Sequence, residues 1–446
     1  MNIYIKVEIE TRELLSRLLL GMHAAANDHH VLIGNDELLS LVEQNKLKPG
    51  IILEKSITPS SRRINQLENY KKYGSKITSI DEEGVIKDNY DVFLDARFSK
   101  KTVSLTDKVF CWGKYDYEAL LKLFPDQKNK FAVTGNPRAN LWGEKYKNLF
   151  FLSQIKDKKY ILISANFSIG VSIQRLSKYV KSNLDNNYFN DPKFIENFYD
   201  SMSLNLKLLF KFISAIDHLT KKFKDFNFII RPHPSESVDQ WQKFFTKKDN
   251  LEITKKFTHS DWIENSEIII HHGCTGGVEA FVRKKKIISY EPLDRETQHN
   301  YPNMISNYPN KFGYTARNET ELENLIKKIY EDKLAEEAPL EILKEFIYRF
   351  GNIETENFAT NITNEWSKLD DKTLSQKNNL FNLILKNKLR LIRNKFMKPY
   401  INEKFPPLDK EKVISFINQI KKTDEKLNKV NFDIVGPYLI KLSLAK

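Results

Sequence analysis

Three short runs in this 446-residue chain gather side chains that could move a proton or hold an anion. The first is SIDEEGV, residues 79–85, where Asp81, Glu82 and Glu83 precede Gly84. Crowded, partly buried carboxylates at a strand exit have raised pKa values, which is what a general base needs. The same residues also suit a solvated acidic turn in which glycine supplies a positive φ. The second run is IIRPHPSE, residues 229–236. Each proline fixes φ and lacks an N–H, so the apolar strand stops there and no helix follows at once. Arg231 and His233, with Pro234 behind them, then stand at a stiff strand exit suited to a phosphate. The bland alternative is a loop histidine bonded to a backbone carbonyl. The third run is IIIHHGCTGGVEAF, residues 268–281. An apolar strand enters a loop with Gly273, Gly276 and Gly277, and a helix starts near Gly277. Backbone N–H groups and the positive end of the helix can approach an anion there. Thr275 adds a hydroxyl, and Glu279 in the first turn can accept from ribose hydroxyls. The competing reading gives the glycines only close helix–strand packing. No GK[ST] or GxGxxG occurs, so this is neither a Walker A loop nor a dinucleotide fingerprint.

Other candidates are weaker. Ser164 and Asn166 end the strand KYILISAN (159–166) and are placed to line the nucleotide site. Trp112, Tyr115 and Arg138 lie near strand exits, where core or turn roles compete with a cleft role. His271 and His272 are adjacent, so in a strand they point to opposite faces, and no Cys, His and Asp set has ligand spacing; no metal is expected. Cys274 has no oriented histidine–acid partner that sequence can supply.

The elements that must position these residues alternate. NIYIKVEI (2–9), HVLIG (30–34), GIILEKS (50–56), KITSI (76–80), KVFCWG (108–113) and FAVTGNP (131–137) read as strands. Helical patterns separate them, beginning with 11–28, for which Thr11 is a plausible N-cap, and a second capped by Asn35 or Asp36. A second series starts at KYILISAN and continues through a helix (about 195–223), FNFIIRPHP (226–234), NLEIT (250–254), SEIIIHHG (266–273) and KKIISY (285–290). Strands separated by helices of ten or more residues argue for parallel sheets covered on both faces. The expected division is an α/β lobe over 1–150, a second α/β lobe over 151–330, and a helical, basic extension over 331–446. After about residue 318 no further sheet is expected.

Composition sets the outer bounds. The chain is 41% hydrophobic and 29% charged, with a formal net charge of +13. That balance would suit nucleic acid, anionic lipid or phosphorylated substrates, but no nucleic-acid module is recognisable and none is expected as partner. Two cysteines, Cys111 and Cys274, give no disulfide framework. No run of about 18 apolar residues appears, and the charged start lacks an apolar h-region, so a cytoplasmic protein is expected.

Taken together and in order, VEIETRELLSRLLL, DEEG, FCWGKYDYEALLKLFP…VTGNPR, RPHPSE and HHGCTGGVEAF resemble the bacterial surface carbohydrate biosynthesis protein family, over roughly residues 1–330. The resemblance implies a GT-B-type glycosyltransferase fold, two Rossmann-like lobes facing a cleft, with the sugar nucleotide held mainly by the C-terminal lobe. Glu82-Glu83-Gly84 and His233-Pro234 are also similar to two motifs of bacterial GT-B sialyltransferases. That similarity implies an acidic general base acting on the acceptor hydroxyl and a His-Pro element on the phosphate of a CMP-sugar. The hydroxyl pair that holds phosphate in those families falls at Cys274-Thr275, where only Thr275 matches. The expected function is a metal-independent, cofactor-free glycosyltransferase for surface polysaccharide, moving a sugar from a nucleotide donor of CMP type to a glycan or lipid-linked acceptor. Two rivals share the pattern: an enzyme moving a polyol phosphate from a CDP-polyol, and a GT-B-shaped UDP-sugar epimerase.

Residues 381–400, FNLILKNKLRLIRNKFMKPY, hold six basic residues and no acidic one. Leu385, Leu389, Ile392 and Phe396 fall on one helical face. Such a helix suits the anionic inner face of the cytoplasmic membrane, near a lipid-linked acceptor. It equally suits packing back on the lobes.

Overall fold

The computed structural model describes residues 1–88, 90–150, 159–167, 171–185, 188–293, 307–334, 340–369, 371–376, 378, 380, 383, 385 and 404–445. They divide into two compact units, one of Met1–Val85, Tyr90–Leu149 and Leu343–Lys446, the other of Ile86–Asn89 and Phe150–Ile342.

In the first unit, strands β1 (Asn2–Lys6), β2 (His30–Gly34), β3 (Ile51–Glu54), β4 (Lys76–Ile80), β5 (Lys108–Cys111) and β6 (Phe131–Val133) lie in the order β2-β1-β3-β4-β5-β6, every neighbouring pair parallel. In the second unit β7 (Tyr160–Ser164), β8 (Asn227–Arg231), β9 (Leu251–Ile253), β10 (Ile268–His271), β11 (Lys286–Tyr290) and β12 (Tyr314–Ala316) form a parallel sheet in the order β12-β11-β10-β7-β8-β9. Helices cover both faces of a parallel sheet, which is why these strands read as continuous apolar runs. Ile161, Ile163, Phe228, Ile230, Ile268 and Ile270 are all buried and pack in one core with Phe212 and Trp241. The expected two parallel-sheet α/β lobes are therefore present.

Several local expectations change. The first helix, Glu10–Ala26, follows Ile9 and has no side-chain N-cap, so Thr11 does not serve. Glu13 does the work instead, its carboxylate accepting from the backbone N–H of Glu8 at 2.8 Å and of Ile9 at 3.3 Å. Asn35 caps the helix Asp36–Glu43. The long helix Pro192–Lys222 starts earlier than its apolar period suggests, because Asp191 caps it and Pro192 is already shaped for its first turn. A helix at Ile173–Asp185 occupies part of the polar insertion between β7 and that long helix.

The C-terminal region carries the expected helices, Leu340–Phe350, Phe358–Ser367 and Lys410–Thr423. It also carries a hairpin that the sequence reading excluded, β13 (Val430–Gly436) and β14 (Leu439–Leu444). β14 pairs antiparallel with β2, Ile440 opposite Ile33 and Leu442 opposite Val31, so the hairpin completes the first sheet. Short alternating strands after a lysine-rich helix are easily read as more amphipathic helix. The basic segment 381–400 lies outside the described residues apart from 383 and 385. Among the described residues no helix is long and apolar enough to cross a membrane.

Gly135 follows β6 at φ +72°, and a Cβ there would lie 2.1 Å from the Phe358 ring. Gly74 has φ +82°, but its nearest neighbour would be 3.7 Å away. Gly74→Ala should therefore lose only the backbone contribution, about 1–2 kcal/mol. Gly135→Ala adds a clash with a buried ring and should lose roughly 3 kcal/mol or more. Urea unfolding of the two variants checks the difference.

Candidate functional site

In the first unit the acidic run emerges from the end of β4 and is sorted by four arginines. Helix Glu10–Ala26 contributes Arg17, whose side chain has no solvent exposure; its guanidinium donates to Glu82 Oε1 at 2.7 Å. Asn136 Nδ2 donates to the same oxygen at 3.2 Å, and Arg138 lies 3.9 Å from Oε2. Glu82 is thus the counter-charge of a buried cation. Glu83 is the most open of the three, paired with Arg12 at 3.3 Å and Arg97 at 2.5 Å. Burial raises its pKa, but those two guanidiniums outweigh it and hold the carboxyl below the usual range. Asp81 differs again. Oδ1 accepts from the Glu83 N–H at 2.8 Å, while Oδ2 has no hydrogen-bond partner among the described residues, its nearest cation being Arg97 Nε at 3.9 Å. Burial pushes the Asp81 carboxyl up to about 6, against the pull of Arg97.

Gly84 is not at positive φ; a Cβ there would lie 2.3 Å from the Phe93 ring, so glycine is needed for packing. Trp112 is buried and donates its indole N–H to Asp81 O at 2.6 Å, fixing the acidic run from behind. Tyr115 packs on Tyr90 and lies 4.0 Å from the Arg349 guanidinium, and Arg138 sits over Trp142. Asp116, not singled out from sequence, accepts from the N–H groups of Trp112 and Gly113 and is pushed up to about 7 by burial.

In the second unit the other candidates gather at the exits of β7, β8 and β10. Ser164 and Arg231 end neighbouring strands in register. Arg231 is buried and turned to backbone, donating to Pro232 O at 3.0 Å and Phe257 O at 3.2 Å; burial lowers its pKa to about 10. It braces the loop. His233 is half-buried, with Nδ1 accepting the Ser235 N–H at 3.2 Å and lying 2.6 Å from Ser235 Oγ. An acceptor at Nδ1 leaves Nε2 as the N–H position of the neutral ring. Glu236, the last residue of the run, is buried and accepts from the His233 N–H, the Phe167 N–H and Trp241 Nε1 at 3.1, 2.5 and 2.8 Å. Pro234 is exposed and Asn166 half-buried.

The glycine run shows why it contains glycines. Gly273, at φ +56°, donates its N–H to Asn310 Oδ1 at 2.7 Å. A Cβ on Gly276 would lie 2.4 Å from His259 Cε1, and one on Gly277 the same distance from His271 Nε2. Thr275 opens the helix Thr275–Val282, whose N-cap, Cys274, makes no side-chain capping bond. Cys274 itself is a poor nucleophile, its thiol pushed up to about 11 by burial. Glu279 is held by Arg283 at 3.1 Å, and Arg283 also pairs with Glu264 at 2.8 Å. His271 and His272 are buried and pushed down to about 3 and about 4, and His272 stacks on Phe167. Among the described residues no three His, Cys, Asp or Glu side chains group as metal ligands.

His259 is the residue that sequence reading missed. Its Nε2 is 2.8 Å from Ser164 Oγ, and its other edge lies against the first turn of Thr275–Val282, so it joins the β7 exit to the glycine run. The available signal was THSD, a capping box in which Thr258 and Asp261 bond each other's backbone and place His259 first in its helix.

No family model matches the chain, and no curated protein matches it. Among solved structures it is similar to the Methanocaldococcus jannaschii UDP-GlcNAc 2-epimerase, solved with UDP-GlcNAc and UDP: 13% identity, 82% of this chain and 100% of that one, TM-score 0.49. It is similar to the wall teichoic acid polymerase TagF at 13% identity over 72% of this chain and 71% of that one, TM-score 0.41. It is also similar to Anabaena Alr3699/HepE, solved with UDP and glucose, at 10% identity over 83% and 99%, TM-score 0.42. Such distant likenesses assign neither substrate nor reaction to this chain.

Replacing Glu82 with Gln leaves Arg17 charged and buried without its carboxylate. The loss should be roughly 3–5 kcal/mol of stability in denaturant unfolding. The double variant Arg17→Met with Glu82→Leu should recover most of it, because the buried cation and its counter-charge leave together.

Proposed function

We infer that the chain is a GT-B-type glycosyltransferase of surface polysaccharide synthesis that takes a nucleotide-linked sugar, of CMP type, and passes it to a glycan or lipid-linked acceptor. The observation that supports this most is the locked ring of His233, with Ser235 fixing Nδ1 so that Nε2 carries the donor at a strand exit. A departing nucleotide gathers negative charge on its phosphate, and preset donors stabilise that charge. His233, Thr275 with the helix N-terminus behind it, and the Ser164–His259 pair are the groups assigned to it. Arg231 and Pro234 hold the shape of the loop, Gly276 and Gly277 make room for His259 and His271, and Gly273 ties its N–H to Asn310. Asn166 is assigned to the nucleoside end, while Glu279, expected there from sequence, is buried and committed to Arg283.

The acceptor hydroxyl must lose its proton as its oxygen bonds the sugar and the sugar–phosphate bond breaks. Of the three carboxylates, Asp81 suits this step. A base near pKa 6 is ionised at neutral pH and still takes a proton readily. Glu83 is too acidic beside its two arginines, and Glu82 neutralises Arg17. The proton passes to Asp81, and the nucleotide leaves as the anion held by the donors above. The setting assigned to this reaction is the cytoplasm, where nucleotide sugars and lipid-linked acceptors meet.

Two measurements test the reading. Calorimetric titration with CMP, CDP and UDP should show binding, and His233→Ala should weaken it by roughly 1.5–3 kcal/mol, about 10–150-fold. Absence of binding by all three would overturn the assignment; exclusive UDP binding would move it to the epimerase class. Turnover should be flat above pH 7 and fall about tenfold per unit below about 6, as Asp81 takes up a proton in the free enzyme. Asp81→Asn should abolish turnover while nucleotide affinity stays within about twofold.

A further inference from the structure

Beside β8 and β9 in the second unit lies a cavity of about 300 Å³ that the reaction above does not use. Its lining includes Phe257, half-buried with the buried Tyr160 and Trp262 packed beside it, and the exposed Asp249, Glu252 and Lys256. The walls are fixed. Tyr160 donates its hydroxyl to Trp262 O at 2.6 Å, and Trp262 donates its indole N–H to Lys256 O at 2.7 Å. The Tyr160 and Trp262 rings meet edge to face at 5.4 Å, and Phe257 lies 6.0 Å from Trp262.

Phe257 is the telling residue. It sits at φ +59°, the left-handed region that a bulky side chain rarely adopts. Such strain persists where the surroundings enforce it, and it concentrates at binding sites. Here Arg231 enforces it by holding Phe257 O at 3.2 Å. Glycine would take this conformation without strain, so what the position keeps is a ring on the cavity wall.

The rim is uncommitted. The side chains of Asp249, Glu252 and Lys256 form no hydrogen bond or ion pair among the described residues. Two carboxylates to one ammonium disfavour a phosphate, and an aliphatic tail would leave all three charges unused. A sugar ring matches both parts, since its C–H face can lie on the Phe257 ring while its hydroxyls donate to carboxylates and accept from an ammonium. We propose that this cavity binds an uncharged sugar ring, at a site separate from the nucleotide site and independent of it.

Saturation-transfer NMR on the full chain tests this with the methyl glycosides of glucose, galactose and N-acetylglucosamine. At least one should give a signal that saturating CMP, CDP or UDP leaves in place. Phe257→Gly, which suits the backbone and removes the ring, should weaken that binding at least tenfold. Asp249→Asn with Glu252→Gln, which changes only exposed side chains, should do the same and decides alone if the glycine variant does not fold. No signal from any glycoside, loss of signal on adding nucleotide, or undiminished binding in a folded variant would overturn the proposal. Nucleotide affinity, measured in the same samples, fails or survives separately.

Discussion

A guanidinium sealed from water needs its counter-charge within reach, and in the first unit that need sets the layout of the whole strand exit. Arg17 lies on the inner side of the helix Glu10–Ala26, and Glu82 must turn inward to meet it. With Glu82 committed, its neighbours on either side are carried into different surroundings. Glu83 falls between Arg12 and Arg97, and Asp81 is left against Trp112 with one oxygen unpartnered. Three adjacent carboxylates, chemically alike in sequence, become a counter-ion, an acid held ionised and a group with raised proton affinity. Neither the sheet nor the glycine decides this. The buried cation does.

In the second unit a buried anion plays the organising part. Glu236 draws together the N–H of His233, the N–H that follows β7 and the indole of Trp241. It therefore joins two strand exits and a short helix through one carboxylate, and the ring of His233 inherits its position. Across the sheet, absent side chains do similar work. Gly276 and Gly277 make room for two histidines, and only because of that room can His259 reach both Ser164 and the first turn of the next helix.

The sheets were legible in the sequence because parallel strands are buried on both faces and show as unbroken apolar runs. KITSI and HVLIG were placed to the residue. The hairpin at 430–444 was not, since its strands alternate and follow a lysine-rich helix. The candidate residues were found by type and position, but their tasks were not. Arg231 looks like a phosphate ligand until its donors are seen on Pro232 O and Phe257 O. Glu82 looks like a base until Arg17, 65 positions earlier in the chain, is seen beside it. His259 sits in a capping box that shows where a helix starts and nothing of what its ring will meet. What a motif cannot show is which partner, brought in from far along the chain, has already claimed a side chain.

The first sheet is closed by a strand far along the chain from the rest of it. β14 lies between β13 and β2, so β2 keeps an open edge until residues 439–444 emerge, long after the intervening unit is complete at Ile342. Units fold as they become available during synthesis. The middle of this chain can settle while its opening 150 residues wait, and a nascent chain halted near residue 429 presents a bare apolar edge to its neighbours. The hairpin is a late lock on an early domain, and chains cut short before residue 430 should aggregate rather than give a smaller working protein.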